Sequence, residues 1–257
     1  MSIRLSVVIP VYRSQAMLPE LHRRLVAALE TIGDPFEIIL VEDCGGDDSW
    51  SVIESLSAAD PRVRGLRLAR NYGQHNALLC GIRAARGELI VTIDDDLQNP
   101  PEEIHRLLVK LDEGCDVVYG YPQAETHGFL RDQASRITKL ALKSAMGVES
   151  ASKVSAFRVF RTRLREAFAA YCSPSVNIDV LLTWGTTRFG SVQVRQDERA
   201  IGDSGYTLRK LINHAVNMMT GFSVLPLQIA SMLGIAFGSI GFLVLLYVLL
   251  RYLIDGS

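Results

Sequence analysis

The chain has little cysteine, and what it has is scattered. Its 257 residues include four cysteines, with no Cys-x-x-Cys spacing and no cysteine–histidine pair at a metal-ligand spacing. The spacing therefore excludes a disulfide framework and a structural zinc site as the basis of the fold. We expect free thiols in a reducing compartment, at Cys44, Cys80, Cys115 and Cys172.

The sequence also lacks an excess of either charge. Lys and Arg number 27, Asp and Glu number 28, and the formal net charge is −1. Because no overall basic field would attract a polyanion, the composition argues against nucleic acid as a partner. The sequence carries no Ser-His-Asp or Cys-His signature of nucleophilic catalysis either.

An amino-terminal signal peptide is not visible. The segment Met1–Pro10 has an apolar run that is too short for one and is typical of a first β-strand. We therefore expect the part of the chain that carries the chemistry to stay in the cytoplasm.

Charge is missing from one long stretch towards the other end. Between Leu211 and Leu250 the only acidic or basic side chain is His214, and most residues of 227–250 are apolar or glycine. Because about 20 such residues cross a bilayer, the segment 227–257 is predicted to hold one transmembrane helix and a short tail. The alternative, a buried core helix, seldom runs this long without a charge.

The preceding segment, 206–226, has the pattern of an amphipathic helix. Polar residues such as Arg209, Lys210 and Asn213 lie off its apolar stripe. Directly before a transmembrane span, this pattern predicts a helix in the membrane interface. An ordinary helix packed on the soluble domain is the alternative. The stripe consists of Leu208, Leu211, Ile212, Ala215, Val216, Met219 and Phe222.

Strand-like and helix-like patterns alternate along about the first 120 residues. Repeated β-α-β units imply an α/β fold, with a mostly parallel sheet and helices on both faces. Further on the alternation loosens, with Val154–Phe160 predicted extended and Ser191–Gln196 a strand. The earlier predicted strands are Leu5–Val11, Phe36–Val41, Val63–Leu68, Leu89–Ile93 and Asp116–Tyr119. The predicted helices include Ala16–Thr31, Gln74–Arg86 closed by Gly87, and Pro101–Glu113.

The most informative stretch follows the strand Leu89–Ile93. Ligands bind at the carboxyl ends of strands in open α/β sheets, and this strand ends in Asp94, Asp95, Asp96 and Gln98. Adjacent carboxylates repel one another unless a cation lies between them. Mg²⁺ and Mn²⁺ commonly combine one or two carboxylates with substrate phosphates, so we predict a metal-bound diphosphate. The alternative, an acidic helix cap on a solvated loop, would occupy only one of the carboxylates.

Two further strands end in residues suited to a nucleotide. Pro10 and Tyr12 lie at the end of the first strand, where the aromatic ring could stack on a base. Glu42 and Asp43 follow the second strand and could accept a base N–H. Taken singly, these residues could equally serve packing or turns.

Together these strand ends resemble the nucleotide-sugar half of a glycosyltransferase family 2 enzyme with a GT-A-type fold. The motifs Arg70–Ala77 and Asp94–Glu102 resemble the polyprenyl-phosphate glycosyltransferases more narrowly. That group includes dolichol-phosphate mannose synthase and the undecaprenyl-phosphate glucosyl and 4-deoxy-4-formamido-L-arabinose transferases. The likeness covers nearly the whole chain, continuing through Arg131–Ser135, Phe157-Arg158, Arg199–Tyr206 and Phe222–Leu227.

The resemblance implies a division of labour along the chain. Residues 1–120 would form the nucleotide-sugar-binding half and 121–205 the acceptor-binding half. Sugar would pass with inversion from a nucleotide-sugar, by weak preference a UDP-sugar, to a polyprenyl phosphate such as undecaprenyl phosphate. The enzyme would lie on the bacterial inner membrane, with its catalytic domain on the cytoplasmic side.

The resemblance also implies site residues. Mg²⁺ or Mn²⁺ would be held against the donor diphosphate by Asp94, Asp96 and Gln98. The nucleotide-sugar would contact Pro10, Tyr12, Glu42, Asp43, Asp94 and Asp95. The acceptor phosphate would contact Arg131, Ser135, Ser204 and Tyr206. The catalytic roles would fall to Asp96, Arg131 and Arg199, the last stabilising charge on the leaving diphosphate.

Two positions depart from the family pattern. The usual Asp-Asp-Gly-Ser is Glu42-Asp43-Cys44-Gly45, and Gly120-Tyr121-Pro122 stands where many relatives carry an arginine. Arg131 is therefore the better candidate for the acceptor phosphate. Bacterial relatives commonly continue into a second transmembrane helix, and some relatives form tetramers, so a homo-oligomer is a further expectation.

Three other functions share parts of this pattern. A processive polysaccharide synthase carries a Gln-x-x-Arg-Trp motif, which is absent around both Trp50 and Trp184. A nucleotidyltransferase needs a glycine-rich basic loop, and Pro10–Ser14 is not one. A membrane-anchored scaffold without activity would have no need of adjacent carboxylates, which are costly to keep.

Overall fold

A computed structural model of the protein describes residues 2–122, 153–174, 176–197 and 225–256. The chain divides into two compact units, Met1–Tyr206 and Thr207–Ser257. Among the described residues, the first unit contains the sheet and the second contains a long helix.

Strands and helices alternate through the first unit. The strands are β1 (Leu5–Val11), β2 (Phe36–Glu42), β3 (Val63–Arg67), β4 (Leu89–Thr92), β5 (Val117–Pro122), β6 (Arg158–Arg161) and β7 (Phe189–Val194). The α-helices are α1 (Leu18–Ile32), α2 (Ser49–Ala59), α3 (Gln74–Ala84), α4 (Ile104–Asp112) and α5 (Ile178–Thr183). Short 3₁₀ helices cover Pro101–Glu103 and Thr162–Phe168.

The strands form one seven-stranded sheet in the order β3-β2-β1-β4-β6-β5-β7. β1 pairs in parallel with β2 and with β4, and β5 pairs in parallel with β7. β6 runs antiparallel to both of its neighbours, β4 and β5. The sheet is therefore mostly parallel, and the carboxyl ends of β1 to β4 meet at one edge.

Helices cover both faces of the sheet, as predicted. Every residue of β1 is buried, and alternate side chains point to opposite faces. Val7 and Ile9 pack in a core with leucines of α1 and α4, whereas Val8 packs in a second core with α3 and α5. The continuous apolar run of this strand thus reflects burial from two sides.

Two predicted boundaries differ for local reasons. The helix predicted to close at Gly87 ends at Ala84, because Ala85 already has extended backbone angles. Gly87 is needed elsewhere: a Cβ there would lie 2.9 Å from the backbone of Leu5 and Ser6. The helix predicted from Pro101 begins with a 3₁₀ turn and becomes α-helical at Ile104.

The second unit contains α6 (Leu225–Asp255). Its stretch Ala230–Ile254 spans 25 residues with a mean hydropathy of 2.5, and none of it is buried. By length and composition this stretch can cross a membrane. It agrees with the transmembrane helix predicted within 227–257.

An ion cluster ties the end of α2 to the start of β3. Asp60 accepts hydrogen bonds from the backbone N–H of Arg62 and from its guanidinium Nε, both at 2.9 Å. His22 Nε2 lies 3.3 Å from the same carboxylate. The Arg62 side chain holds the pKa of Asp60 at about 2, below its ordinary value of 3.8, despite the opposing effect of burial.

We predict that Asp60 makes stability fall in acid. Its pKa is depressed in the folded state, so its contribution is complete above about pH 4 and is lost as the pH falls towards 2. A shift of this size corresponds to about 2 kcal/mol. Asp60→Asn should therefore lower the free energy of unfolding near pH 7, and the difference from wild type should shrink between pH 4 and 2. Denaturant titrations in detergent would measure this.

Glu54→Gln is the matched control, because Glu54 is an exposed carboxylate of α2, the helix that Asp60 follows. Its free energy of unfolding should follow the wild type at every pH. The interpretation fails if Asp60→Asn and Glu54→Gln have the same pH dependence.

Candidate active site

A cavity of about 430 Å³ opens at the carboxyl edge of the sheet. Its walls come from the loops that follow β1, β2, β3 and β4, so four strand ends contribute to one space. The predicted residues Asp94, Asp96 and Gln98 lie together in it. The complete lining is Pro10, Val11, Tyr12, Asp43, Asn71, Gly73, Gln74, Asp94, Asp95, Asp96 and Gln98.

The loop Asp94–Gln98, here called the acidic loop, turns sharply after β4. Leu97 has a φ of +59°, an uncommon conformation for a residue with a side chain, and its side chain is buried. Asp96 Oδ1 accepts the backbone N–H of Gln98 at 3.1 Å. Asp94 Oδ1 accepts Nε2 of Gln74 at 2.6 Å. The first and third carboxylates thus have different hydrogen-bond partners and line the same cavity.

The middle carboxylate is bound to another loop. Asp95 Oδ2 accepts the backbone N–H of Tyr12 at 3.1 Å and also accepts the hydroxyl of Ser14. Burial raises the pKa of Asp95 above its ordinary value, and these two hydrogen bonds act in the opposite direction. Asp95 therefore joins the end of β4 to the end of β1.

The acidic residues that follow β2 have different surroundings. Asp43 lines the cavity, and its two oxygens accept the backbone N–H groups of Tyr72 at 2.7 Å and Gly73 at 2.8 Å. Glu42 does not line the cavity: its carboxylate is buried, accepts the N–H of Gly45 at 2.7 Å, and lies 3.3 Å from Nε of Arg67. The structure thus brings Asp43, but not Glu42, to the site.

Tyr12 offers an aromatic surface at the cavity. Tyr12 is 45% exposed as a residue, and the guanidinium of Arg13 lies over its ring, 5.3 Å from the ring centre. Arg13 has a φ of +57° and donates from Nε to the carbonyl of Gly45 at 2.9 Å. The loop after β1 is therefore fixed while the Tyr12 ring stays accessible to a ligand.

Behind the acidic loop, charge is buried in an ion pair. Arg158 is 1% exposed, and its guanidinium contacts the carboxylate of Asp179 and donates from Nε to the hydroxyl of Thr92 at 3.1 Å. The Tyr119 hydroxyl donates to Asp179 Oδ1 at 3.0 Å, and burial raises the pKa of Tyr119 well above its ordinary value. Since Thr92 is the last residue of β4, the network supports the strand that carries the acidic loop.

The acidic residues fit a divalent cation shared with a substrate. Within the described ranges, no group of three Asp, Glu, His or Cys side chains is placed to hold a metal by itself. Magnesium sites commonly use only one or two carboxylates and complete their shell with phosphate and water. Asp94 and Asp96, with the amide oxygen of Gln98, can supply that smaller set.

Some cavity residues were not predicted as site residues. Asn71 and Gln74 line the cavity, and both belong to the motif that follows β3. The sequence feature that could have indicated them is their position just after β3, at the carboxyl end of a parallel strand. Most of the predicted interfacial helix 206–226 lies outside the described residues. So do five predicted site residues, which are Arg131, Ser135, Arg199, Ser204 and Tyr206.

Comparison of the sequence with known protein families shows the enzyme class to which the chain belongs. Residues 6–172 match the model described as Glycosyl transferase family 2. The chain belongs to this family. A crystal structure of glucosyl-3-phosphoglycerate synthase from Mycobacterium tuberculosis, with Mn²⁺, UDP and phosphoglyceric acid, has a TM-score of 0.61 and 17% identity, covering 85% of this chain and 78% of that one. This likeness confirms the GT-A-type fold, and the family confirms the predicted glycosyltransferase class.

Curated relatives of this family 2 glycosyltransferase are more similar in sequence. The undecaprenyl-phosphate 4-deoxy-4-formamido-L-arabinose transferase of Shewanella sediminis is 36% identical over 253 residues, covering 98% of this chain and 76% of that protein. The protein of the same name from Salmonella paratyphi A is 38% identical over 249 residues, covering 96% and 76%. The predicted resemblance to the polyprenyl-phosphate sugar transferases is thereby confirmed.

We predict that removing one member of the ion pair Arg158–Asp179 lowers the free energy of unfolding more than replacing both members by apolar residues. Asp179→Ala leaves a buried guanidinium without its carboxylate, which should lower the free energy of unfolding by about 3–5 kcal/mol. The double variant Arg158→Met/Asp179→Leu removes both charges and should recover a large part of that loss. Thermal and denaturant unfolding in detergent would measure both.

The exposed pair Glu20–Arg23 provides the control, with side chains 47% and 67% exposed. Glu20→Ala should leave the unfolding midpoint nearly unchanged, because solvent screens such a pair. A double variant as unstable as Asp179→Ala would contradict the interpretation.

Proposed function

We propose that this family 2 glycosyltransferase moves a sugar, with inversion, from a nucleotide-sugar to a polyprenyl phosphate, in a metal-dependent reaction. The observation that carries the proposal is the joint placement of Asp94, Asp96 and Gln98 in one cavity with Tyr12. That set can hold both a metal-bound diphosphate and a base. The relatives named undecaprenyl-phosphate transferases, at 36% and 38% identity, support undecaprenyl phosphate as the acceptor.

The donor end of the cavity is suited to Mg²⁺ or Mn²⁺. When bound, the cation would offset the negative charge that builds on the diphosphate as the bond to the sugar breaks. Asp94, Asp96 and Gln98 would hold it, and Pro10, Tyr12 and Asp43 would face the nucleotide. The mycobacterial structure of the same fold holds Mn²⁺ together with UDP, which makes UDP-sugars the first donors to test.

The acceptor needs no strong general base. The second pKa of a phosphate monoester is about 6, so its oxygen is already largely ionised near neutral pH. Asp179, the carboxylate buried behind the acidic loop, is 4% exposed. It contacts Arg158 and accepts a hydrogen bond from Tyr119, so it is not available as a base, which agrees with this chemistry. We assign the orientation of the acceptor phosphate to Arg131 and Ser135, with Ser204 and Tyr206, through charge-assisted hydrogen bonds.

A second arginine is proposed to act on the leaving diphosphate. The backbone N–H of Asp197 donates to the carbonyl of Gln98 at 2.9 Å, so the chain after β7 passes beside the acidic loop. We assign Arg199, which follows two positions later in the sequence and resembles the family arginine, to stabilising the charge that develops on the leaving diphosphate.

The apolar helix α6 suits a lipid acceptor. Exposing each CH₂ of a polyprenyl chain to water costs about 0.8 kcal/mol, so the reacting phosphate stays at the membrane surface. An enzyme anchored in the same membrane, with 206–226 lying in the interface, would meet its substrate there. We place it in the bacterial inner membrane with its catalytic domain on the cytoplasmic side, in keeping with free thiols at Cys44, Cys80, Cys115 and Cys172.

The proposal predicts that Asp96→Ala abolishes transfer. Losing one of two metal-binding carboxylates should lower kcat/KM by about 10²–10³ or more, since charge on the diphosphate would no longer be offset. The assay follows radiolabel passing from UDP-glucose, UDP-N-acetylglucosamine, a UDP-arabinose derivative or GDP-mannose into undecaprenyl phosphate in detergent. Chelation by EDTA should have the same effect and should be reversed by Mn²⁺ or Mg²⁺.

Asp112→Ala is the control, because Asp112 is an exposed carboxylate at the end of α4. It should retain wild-type turnover. Label that enters the lipid equally well with Asp96→Ala, or in the presence of EDTA, would sink the metal-dependent assignment. No lipid label from any donor would sink the acceptor assignment.

A further inference from the structure

The loops around the cavity are joined into a closed ring of hydrogen bonds. The loop after β1 bonds to the loop after β2 through Arg13 to Gly45, at 2.9 Å. Asp43 joins the loop after β2 to the one after β3 by accepting from Tyr72 and Gly73. Gln74 then bonds to Asp94, and Asp95 closes the circuit by accepting from Tyr12 and Ser14. We call this set of contacts the loop ring.

Asp95 is the part of the loop ring that ties the acidic loop to the loop carrying Tyr12. Both of its donors belong to that loop, and both bond to the same oxygen, Oδ2. The partners lie 83 and 81 positions away in the sequence, so the contact is purely tertiary. Two chain segments that approach the ligand from different strands are therefore fixed at one spacing by one carboxylate oxygen.

Ser14 is itself held in place, which makes it a rigid donor. Its backbone N–H donates to the hydroxyl of Ser49 at 3.0 Å, and Ser49 donates in turn to Asp47 Oδ2 at 2.8 Å. The same Asp47 oxygen accepts the N–H of Gln15 at 3.3 Å. Because the backbone of Ser14 is held by these separate contacts, loss of the Asp95 contact would release the acidic loop and not the loop after β1.

We propose that Asp95 is a positioning residue whose side chain works as a hydrogen-bond acceptor, setting the distance between Tyr12 and the acidic loop and hence the fit of the metal-bound nucleotide. This inference rests on the proposed function and differs from the earlier assignment of Asp95 to direct nucleotide-sugar contact. It separates the three adjacent carboxylates by role: Asp94 and Asp96 serve the metal, and Asp95 serves the cavity.

An acceptor role and a charge role predict different behaviour for one isosteric substitution. In Asp95→Asn the amide oxygen can still accept from Tyr12 and Ser14, although the negative charge is gone. In Asp95→Ala both hydrogen bonds are lost. A residue that served through its charge, on a metal or elsewhere, would lose its function in both variants.

The test measures binding of Mn²⁺–UDP to the full chain in detergent by calorimetry, together with steady-state transfer. Asp95→Ala should weaken nucleotide binding about tenfold, while Asp95→Asn stays within about threefold of wild type. Ser14→Ala should weaken binding by less than Asp95→Ala. The double variant Ser14→Ala/Asp95→Ala should bind no more weakly than Asp95→Ala alone, because the Ser14–Asp95 hydrogen bond that Ser14→Ala removes is already lost in Asp95→Ala. The acceptor KM at saturating donor should stay within about twofold.

Ser14→Ala also keeps the proposal testable if Asp95→Ala fails to fold, and Asp112→Ala again serves as the control. Asp95→Asn binding as weakly as Asp95→Ala, with a raised metal requirement, would assign the charge to the metal and overturn the proposal. Wild-type affinity in Asp95→Ala would also overturn it. The expected binding pattern without any lipid label would support the positioning role and reject the proposed function instead. A wild type that binds neither UDP nor GDP with Mn²⁺ overturns both.

Discussion

Three adjacent carboxylates at the end of one strand repel one another, and the site depends on how the fold separates them. Asp94 bonds to Gln74 of α3, Asp95 to Tyr12 and Ser14 after β1, and Asp96 to the backbone of its own loop. Each carboxylate therefore has its own hydrogen-bond donor, and these bonds oppose the repulsion between adjacent like charges. Asp94 and Asp96 also line the cavity, where we propose that they hold a cation.

The sheet supports this arrangement from behind through buried polar contacts. Arg158 on β6 contacts Asp179 on α5 and Thr92 on β4, so the antiparallel strand is fixed to the strand that carries the acidic loop. A buried pair of this kind contributes little net stability compared with an apolar replacement, but it is strongly unfavourable when only half of it is present. The pair connects three strands, because Arg158 of β6 contacts Thr92 of β4, and Asp179 accepts from Tyr119 of β5.

The chemistry proposed for this family 2 glycosyltransferase follows from these placements. In the proposal, donor recognition would be concentrated at the ends of β1, β2, β3 and β4, where loops from distant parts of the sequence share one cavity. The proposed acceptor is an anion that needs orientation more than deprotonation, and the 25-residue apolar stretch of α6 would keep the enzyme near a lipid substrate. A metal-bound diphosphate, a lipid phosphate and a membrane anchor are thus mutually consistent parts of the proposed reaction.

The sequence by itself determined the alternation of strands and helices, the carboxyl-end position of Asp94, Asp96 and Gln98, and the apolar helix, because these depend on periodicity and local order. Only the tertiary structure decided that β6 enters the sheet antiparallel between β4 and β5, that Glu42 pairs with Arg67 and does not line the cavity, and that Asp95 binds Ser14. Each of these depends on a partner far away in the chain. The periodicity of one segment carries no information about such a partner until the sheet has brought the two together.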